Sequence, residues 1–208
     1  MRMTYGNDGL TLQEVGTVAD AGDPAWAAFS TQEQVATSYD ANARPNKTEL
    51  KSGATVYAVS QSSYDALGRV ECSVQRMNSA TFGSLPGVCS LGTTGSHGPD
   101  RITKSSYDAA GRVSKLQTAY GATAQADEVT PSYSNNGRLA YVVDAENNRT
   151  GYTYDGHDRL AKTEYPSATK GANAVNASDY EQLTYDANSN VTNRRLRDGN
   201  SIGYGYDN

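Results

Sequence analysis

Cysteine, histidine, tryptophan and phenylalanine are all scarce in this 208-residue chain, with two, two, one and two residues respectively. Two cysteines far from any second pair make a weak metal site. Leu, Ile, Val and Phe together number 29, about 14% of the chain. That fraction with a high net charge would indicate disorder. The net charge is only −5, however, and such mild acidity argues against a nucleic-acid backbone as partner. No apolar run approaches the roughly 18 residues that span a bilayer, and the first residues show no basic-then-hydrophobic secretion signal.

Tyrosine and glycine are abundant, at 15 and 20 residues. Tyrosine offers a large apolar ring with a polar tip, so the predicted core is built largely from tyrosine. Tyr, Thr and Val at alternating positions favour strands, and the glycines suit many turns.

The organising unit is Tyr64-Asp65-Ala66-Leu67-Gly68-Arg69-Val70, repeated almost unchanged at Tyr107-Asp108-Ala109-Ala110-Gly111-Arg112-Val113. Looser copies are Tyr133-Ser134-Asn135-Asn136-Gly137-Arg138-Leu139 and Tyr154-Asp155-Gly156-His157-Asp158-Arg159-Leu160. Imperfect copies begin at Tyr5 and Tyr39, the latter with Ala43 in the Gly place. Asp65 can accept from amides just ahead of it, the usual start of an Asx turn. Gly68 supplies the positive φ that ends a type I turn with a bulge. Asp158 in the same place is one of the few residues that tolerates that conformation. The unit is therefore a hairpin in which Tyr64 faces Val70 and Asp65 faces Arg69. Alternation of side chains predicts the Tyr–Val pair inward and the Asp–Arg pair outward.

Motif tyrosines are spaced 34, 25, 43, 26, 21, 31 and 21 residues apart. The shortest recurring value is the base period, and the longer ones carry insertions. A two-hairpin unit cannot bury its own inner face, so neighbours must stack. The predicted fold is all-β: repeated antiparallel β-hairpins forming a curved, spiralling sheet. A single repeat region covers residues 1–208, incomplete at both ends, with irregular insertions near 19–34 and 73–100. Unpaired strand edges at both ends favour association.

Tyr-Asp-x-x-Gly-Arg-Leu/Val at this period resembles the YD-repeat, or RHS-repeat, family. The resemblance implies a strip of hairpins that forms part of a β shell, which in bacterial members commonly encloses a C-terminal toxin. It further implies that the partners are the rest of a longer parent chain and its C-terminal toxin domain, in a secreted or cell-surface protein. The self-cleavage segment of many members has no counterpart here, so no autoproteolytic residue carries over.

Local features add little chemistry. Asp23-Pro24-Ala25-Trp26 opens either a short helix or a strand with a loop, and Trp26 reads as a packing residue rather than a binding platform. Cys72 and Cys89 enclose a Gly-, Ser- and Pro-rich loop. They are either a disulfide worth roughly 3 kcal/mol, which would mark an oxidising compartment, or two free thiols. Ser96, His97 and Asp100 superficially offer a hydrolase triad, but a triad needs separate elements to position its members. His157 is an exposed turn residue. The turn Asp144–Asn148 offers oxygen ligands without a calcium-loop pattern. Glycosylation matches at Asn46, Asn148, Asn176 and Asn190 are the number that chance supplies in a chain this rich in Asn, Ser and Thr.

No catalytic, cofactor-binding or metal-binding residue is assigned, and no cofactor is expected. The leading expectation is a non-enzymatic structural segment of a shell. The alternatives are a carbohydrate-binding or adhesion module using rows of tyrosine on a cell-surface glycan, and a hydrolase on the 96–100 loop.

Overall fold

The computed structural model describes residues 1–18 and 21–207. Ala19 and Asp20, the start of the insertion expected near 19–34, and the terminal Asn208 lie outside the described residues. The fold is all-β. Its strands are β1 (Arg2–Gly6), β2 (Gly9–Gly16), β3 (Thr31–Tyr39), β4 (Pro45–Ser52), β5 (Thr55–Tyr64), β6 (Val70–Arg76), β7 (Arg101–Tyr107), β8 (Val113–Thr118), β9 (Ala126–Tyr133) and β10 (Leu139–Asp144), followed by β11 (Arg149–Tyr154), β12 (Leu160–Pro166), β13 (Val175–Tyr185), β14 (Val191–Arg195) and β15 (Ser201–Gly203). They lie in one 15-stranded antiparallel sheet whose spatial order is the sequence order. Two compact units are distinguishable, residues 1–105 with 117–126, and residues 106–116 with 127–208.

Because the chain runs back and forth in order, every odd-to-even connection closes at one end of its strands. Every even-to-odd connection closes at the other. In the first unit the Tyr-Asp turns 40–44 and 65–69 occupy one end, and the connections 17–30, 53–54, 77–100 and 119–125 occupy the other. In the second unit the turns 108–112, 134–138, 155–159 and 186–190 share one end, opposite 145–148, 167–174 and 196–200. The Tyr-Asp end never changes length from residue 40 onward, while the opposite end ranges from two residues to 24. The irregular tyrosine spacing therefore arises at one end only.

Three of the Tyr-Asp turns show the predicted register directly, with Tyr64 opposite Val70, Tyr133 opposite Leu139 and Tyr154 opposite Leu160. The Asp65 N–H donates to Arg69 O and the Gly68 N–H to Asp65 O, both at 2.9 Å. A second irregularity was not foreseen. Immediately past the closing pair the register skips one residue, so Ser63 pairs with Cys72 and Glu71 is extra. Equivalent bulges leave Asn46, Ala140, Ala161 and Thr192 extra. Bulges sharpen local twist, and their recurrence makes each hairpin a copy of the last in backbone as well as sequence.

The Gly place has positive φ throughout: 81° at Gly68 and 78° at Gly137, but also 58° at Ala43, 59° at Asp158 and 68° at Ser189. Left-handed backbone costs a non-glycine residue about 1–2 kcal/mol, against roughly 0.5–1 kcal/mol of extra unfolded-state entropy for glycine. Ala43 is exposed, so nothing is lost in packing. Ala43→Gly should stabilise the first unit by about 0.5–1 kcal/mol, read as a raised urea midpoint at constant slope.

The expected tyrosine core is not what forms. The buried hydrophobic residues among those described are Val59, Cys72, Val74 and Ile102, and every tyrosine is half-buried or exposed. With every described strand in one sheet, no second sheet packs over the rings, and at the 64–70 hairpin the inward/outward assignment fails. Val70 is 40% exposed, whereas the Asp65 and Arg69 side chains retain only 22% and 27%.

Candidate functional site

The repeated turn is the first feature with defined chemistry. Asp65 Oδ1 accepts from the backbone N–H groups of Leu67 and Arg69 at 2.9 and 3.0 Å. Its Oδ2 accepts from Arg69 Nε at 2.7 Å and Nη2 at 2.6 Å. Asp40 with Arg44, Asp108 with Arg112 and Asp155 with Arg159 repeat the pattern. Asp186 and Asp144 do the same with Asn190 and Asn148 in the arginine place. Bonding to the arginine side chain, chiefly, holds the carboxyls of Asp40, Asp65 and Asp108 below the usual range. Burial pushes Asp155 up, but the N–H groups of Arg159 and His157 with the Arg159 guanidinium outweigh it, leaving it lowered to about 2. At the start of the first unit Glu14 is lowered to about 2, by its bonds to Arg2 and then Thr31.

Groups depressed in this way stabilise the fold fully above the unfolded carboxyl value of about 4. That contribution is lost as pH falls toward about 2. Circular dichroism during acid titration should therefore stay flat down to about pH 4 and change below it. A transition completed above pH 5 would contradict the turn chemistry.

The turns are also latched to one another, which the sequence reading missed. Tyr64 donates its hydroxyl to Pro45 O at 2.8 Å, and the Arg44 guanidinium lies 4.4 Å over its ring. Tyr133 bonds Val113 O at 3.0 Å beneath Arg112 at 4.2 Å. Tyr185 bonds Leu160 O at 2.8 Å beneath Arg159 at 4.5 Å. Each of these three arginines thus closes its own turn through Nε and caps the tyrosine of the next. Where the preceding turn has no arginine, Tyr39 on Leu10 O and Tyr206 on Val191 O keep the hydroxyl bond. The glycine place must also admit that arginine, since a Cβ on Gly68 would come within 3.3 Å of Arg44 Nη1 and one on Gly137 within 3.4 Å of Arg112 Nη1. An insertion at this end would pull the latch apart; at the opposite end the connections 145–148 and 167–174 meet through other bonds, Asn147 Nδ2 donating to Gly171 O at 2.7 Å and the Gly171 N–H to Asn148 Oδ1 at 2.9 Å. Tyr133→Phe should cost about 0.5–1.5 kcal/mol in urea unfolding, with the ring stacking of about 0.5–1 kcal/mol retained.

The second feature is the 77–100 connection. Cys72 and Cys89 are disulfide-bonded, which decides between the two readings of that pair. Cys72, Val74 and Arg76 alternate on the buried face of β6. The first two pack with Ile102 under Val88, Cys89, Leu91 and Tyr120. Arg76 spends all five of its N–H donors: Nε on Gln61 Oε1, Nη1 on Ser90 O and Asp100 Oδ2, and Nη2 on Pro86 O and Gly87 O. Asp100 Oδ1 accepts from the Met77 N–H and Oδ2 from the Gly92 N–H, both at 2.9 Å. Burial pushes the Asp100 carboxyl up, but Arg76 and these two amides overcome it, and the net shift is downward.

That geometry removes Asp100 from the Ser96, His97 and Asp100 triad, because both its oxygens are bound to the buried pair and the loop backbone. His157 is an exposed turn residue whose backbone N–H meets Asp155. The Asp144 oxygens face N–H donors rather than an open ligand position, and no group of three or more His, Cys, Asp or Glu residues suited to a metal occurs among the described residues. Asn148 and Asn190 brace their own turns, and Asn176 caps Ser178. Asp23 caps a 3₁₀ turn at Pro24–Ala28, where Trp26 packs on Phe29 at 5.0 Å. No described helix is long and apolar enough to cross a membrane.

A ladder of latched hairpins with a clamped insertion defines a β-repeat protein whose regular end holds each hairpin to the next. The family model for the RHS Repeat matches residues 133–170, which hold the turns at 134–138 and 155–159. Residues 133–170 carry the RHS repeat, and the turns outside that segment share the same positive-φ turn geometry. Among solved structures, it is similar to TcdB2-TccC3 without its hypervariable C-terminal region, at 13% identity and a TM-score of 0.54, over 89% of this chain and 9% of that one. It is similar also to a Photorhabdus luminescens Tc holotoxin pore, at 16% identity and a TM-score of 0.52, with the same coverage. At these identities the likeness is one of fold, and the chain spans about a tenth of those chains. No curated protein matches it.

Proposed function

We propose that this chain is a structural, non-catalytic stretch of wall in a larger RHS-repeat protein, with residues 1–208 forming a single repeat region. The wall encloses a C-terminal toxin domain, and the parent is secreted or displayed at the cell surface. The observation that carries this reading is the arginine–tyrosine latch, which commits the repeated side chains to holding one hairpin against the next. The Cys72–Cys89 disulfide supports an oxidising compartment. Its partners are then the remainder of the parent chain and the enclosed domain. Electron microscopy of the whole parent protein tests this: a closed hollow particle is expected, and an extended rod without an internal volume would overturn it. A glycan site on the motif tyrosines is disfavoured, because five of their hydroxyls already bond backbone carbonyls.

A further inference from the structure

Beside the clamped insertion, the first unit has a surface hollow of about 560 Å³ lined by Tyr57, Gln75, Met77, Phe82, His97 and Arg101. Arg76 also borders it, but its donors are exhausted by the contacts above. Arg101 is the opposite case. Its backbone pairs with Gln75 at the start of β7, while its guanidinium has no hydrogen bond, ion pair or ring contact with any described residue. Every other arginine among the described residues meets a carboxylate or lies over a tyrosine ring.

In a chain of net charge −5 that pairs its arginines so consistently, an unpaired fork at the edge of a hollow is distinctive. A guanidinium presents donors only, in a geometry matched to a carboxylate. Tyr57 is 61% exposed and offers a ring face, with Phe82 and Met77 as further apolar lining. The imidazole of His97 and the Tyr57 hydroxyl are likewise without partners among the described residues. Gln75 uses its amide nitrogen on Val59 O, which leaves its carbonyl oxygen to accept from a hydroxyl.

We propose that this hollow binds a small ring bearing a carboxylate, with the carboxylate on Arg101 and the ring face against Tyr57. The site does not depend on the shell reading. Two sources share that chemistry, an acidic sugar and an aromatic acid, and hydroxyl contacts to His97 and Gln75 favour the sugar.

NMR titration of the 208-residue chain with glucuronate, benzoate and neutral glucose tests it. For ligands of this size a Kd of about 1 mM is expected. Saturable shifts should centre on the amides of residues 57, 75, 97 and 101. Glucuronate tighter than benzoate identifies an acidic-sugar site, and the reverse order an aromatic-acid site. Glucose should produce no saturable shift. Arg101→Gln, at an exposed position, should weaken the acid about tenfold or more, and Arg101→Lys, which keeps the charge without the fork, should fall between. Equal binding of glucose, unchanged affinity in Arg101→Gln, or no saturation by either acid would each overturn the proposal.

Discussion

Asp100→Ala should destabilise the first unit by about 3–5 kcal/mol, the cost of leaving a buried charge without its partner. The Arg76 and Asp100 side chains are 2% and 5% exposed, so water cannot replace the lost carboxylate. Hydrogen exchange should report where the damage falls. The amides of Met77 and Gly92 lose their acceptor, and exchange should accelerate across 77–100. Buried ion pairs can often be replaced by apolar residues at little cost, and this one should behave differently. Arg76 also satisfies the carbonyls of Pro86, Gly87 and Ser90, each of which an apolar substitute would leave unpaired. The double variant Arg76→Met with Asp100→Leu should therefore recover little. Full recovery would mean that the pair serves only itself.

Loss of the Cys72–Cys89 disulfide is the second large effect. The bond closes a loop with a sequence separation of 17 residues, for which the chain-entropy estimate is roughly 3 kcal/mol. Cys72→Ser with Cys89→Ser should lower the stability of the first unit by that order in urea unfolding. Because the disulfide and the Arg76 cluster hold the same segment, their losses should be less than additive. Once either is gone, the 77–100 connection is already partly released, and removing the other forfeits less. Simple additivity would show that the two clamps act on independent parts of the loop.

The hairpin unit was legible in the sequence because its determinants are local. Asp65, Gly68 and Arg69 lie within five residues, and Asx-turn chemistry, positive φ and cross-strand pairing all act over that distance. Register followed from the same residues. The faces did not, because the alternation rule says which side chains share a face and is silent on whether anything covers it. Tyr64 and Val70 were assigned inward, yet Val70 is 40% exposed. The latch was illegible for a related reason. It joins Arg44 to Tyr64 and Arg159 to Tyr185 across intervening chain whose length varies, so no fixed spacing announces it.

Arg76 was missed outright. An arginine in a half-apolar strand reads as solvated until its partners are brought to it from residues 86, 87, 90 and 100. The Arg101 guanidinium was equally silent, since only the full set of contacts shows that it has no partner among the described residues. The amino-acid sequence by itself determined the β class, the repeated turn and its internal bonds, since these depend on neighbours a few residues apart. The tertiary structure alone decided the disulfide, the Arg76–Asp100 clamp and the confinement of insertions to one end. Each of these depends on which distant segments the meander sets side by side.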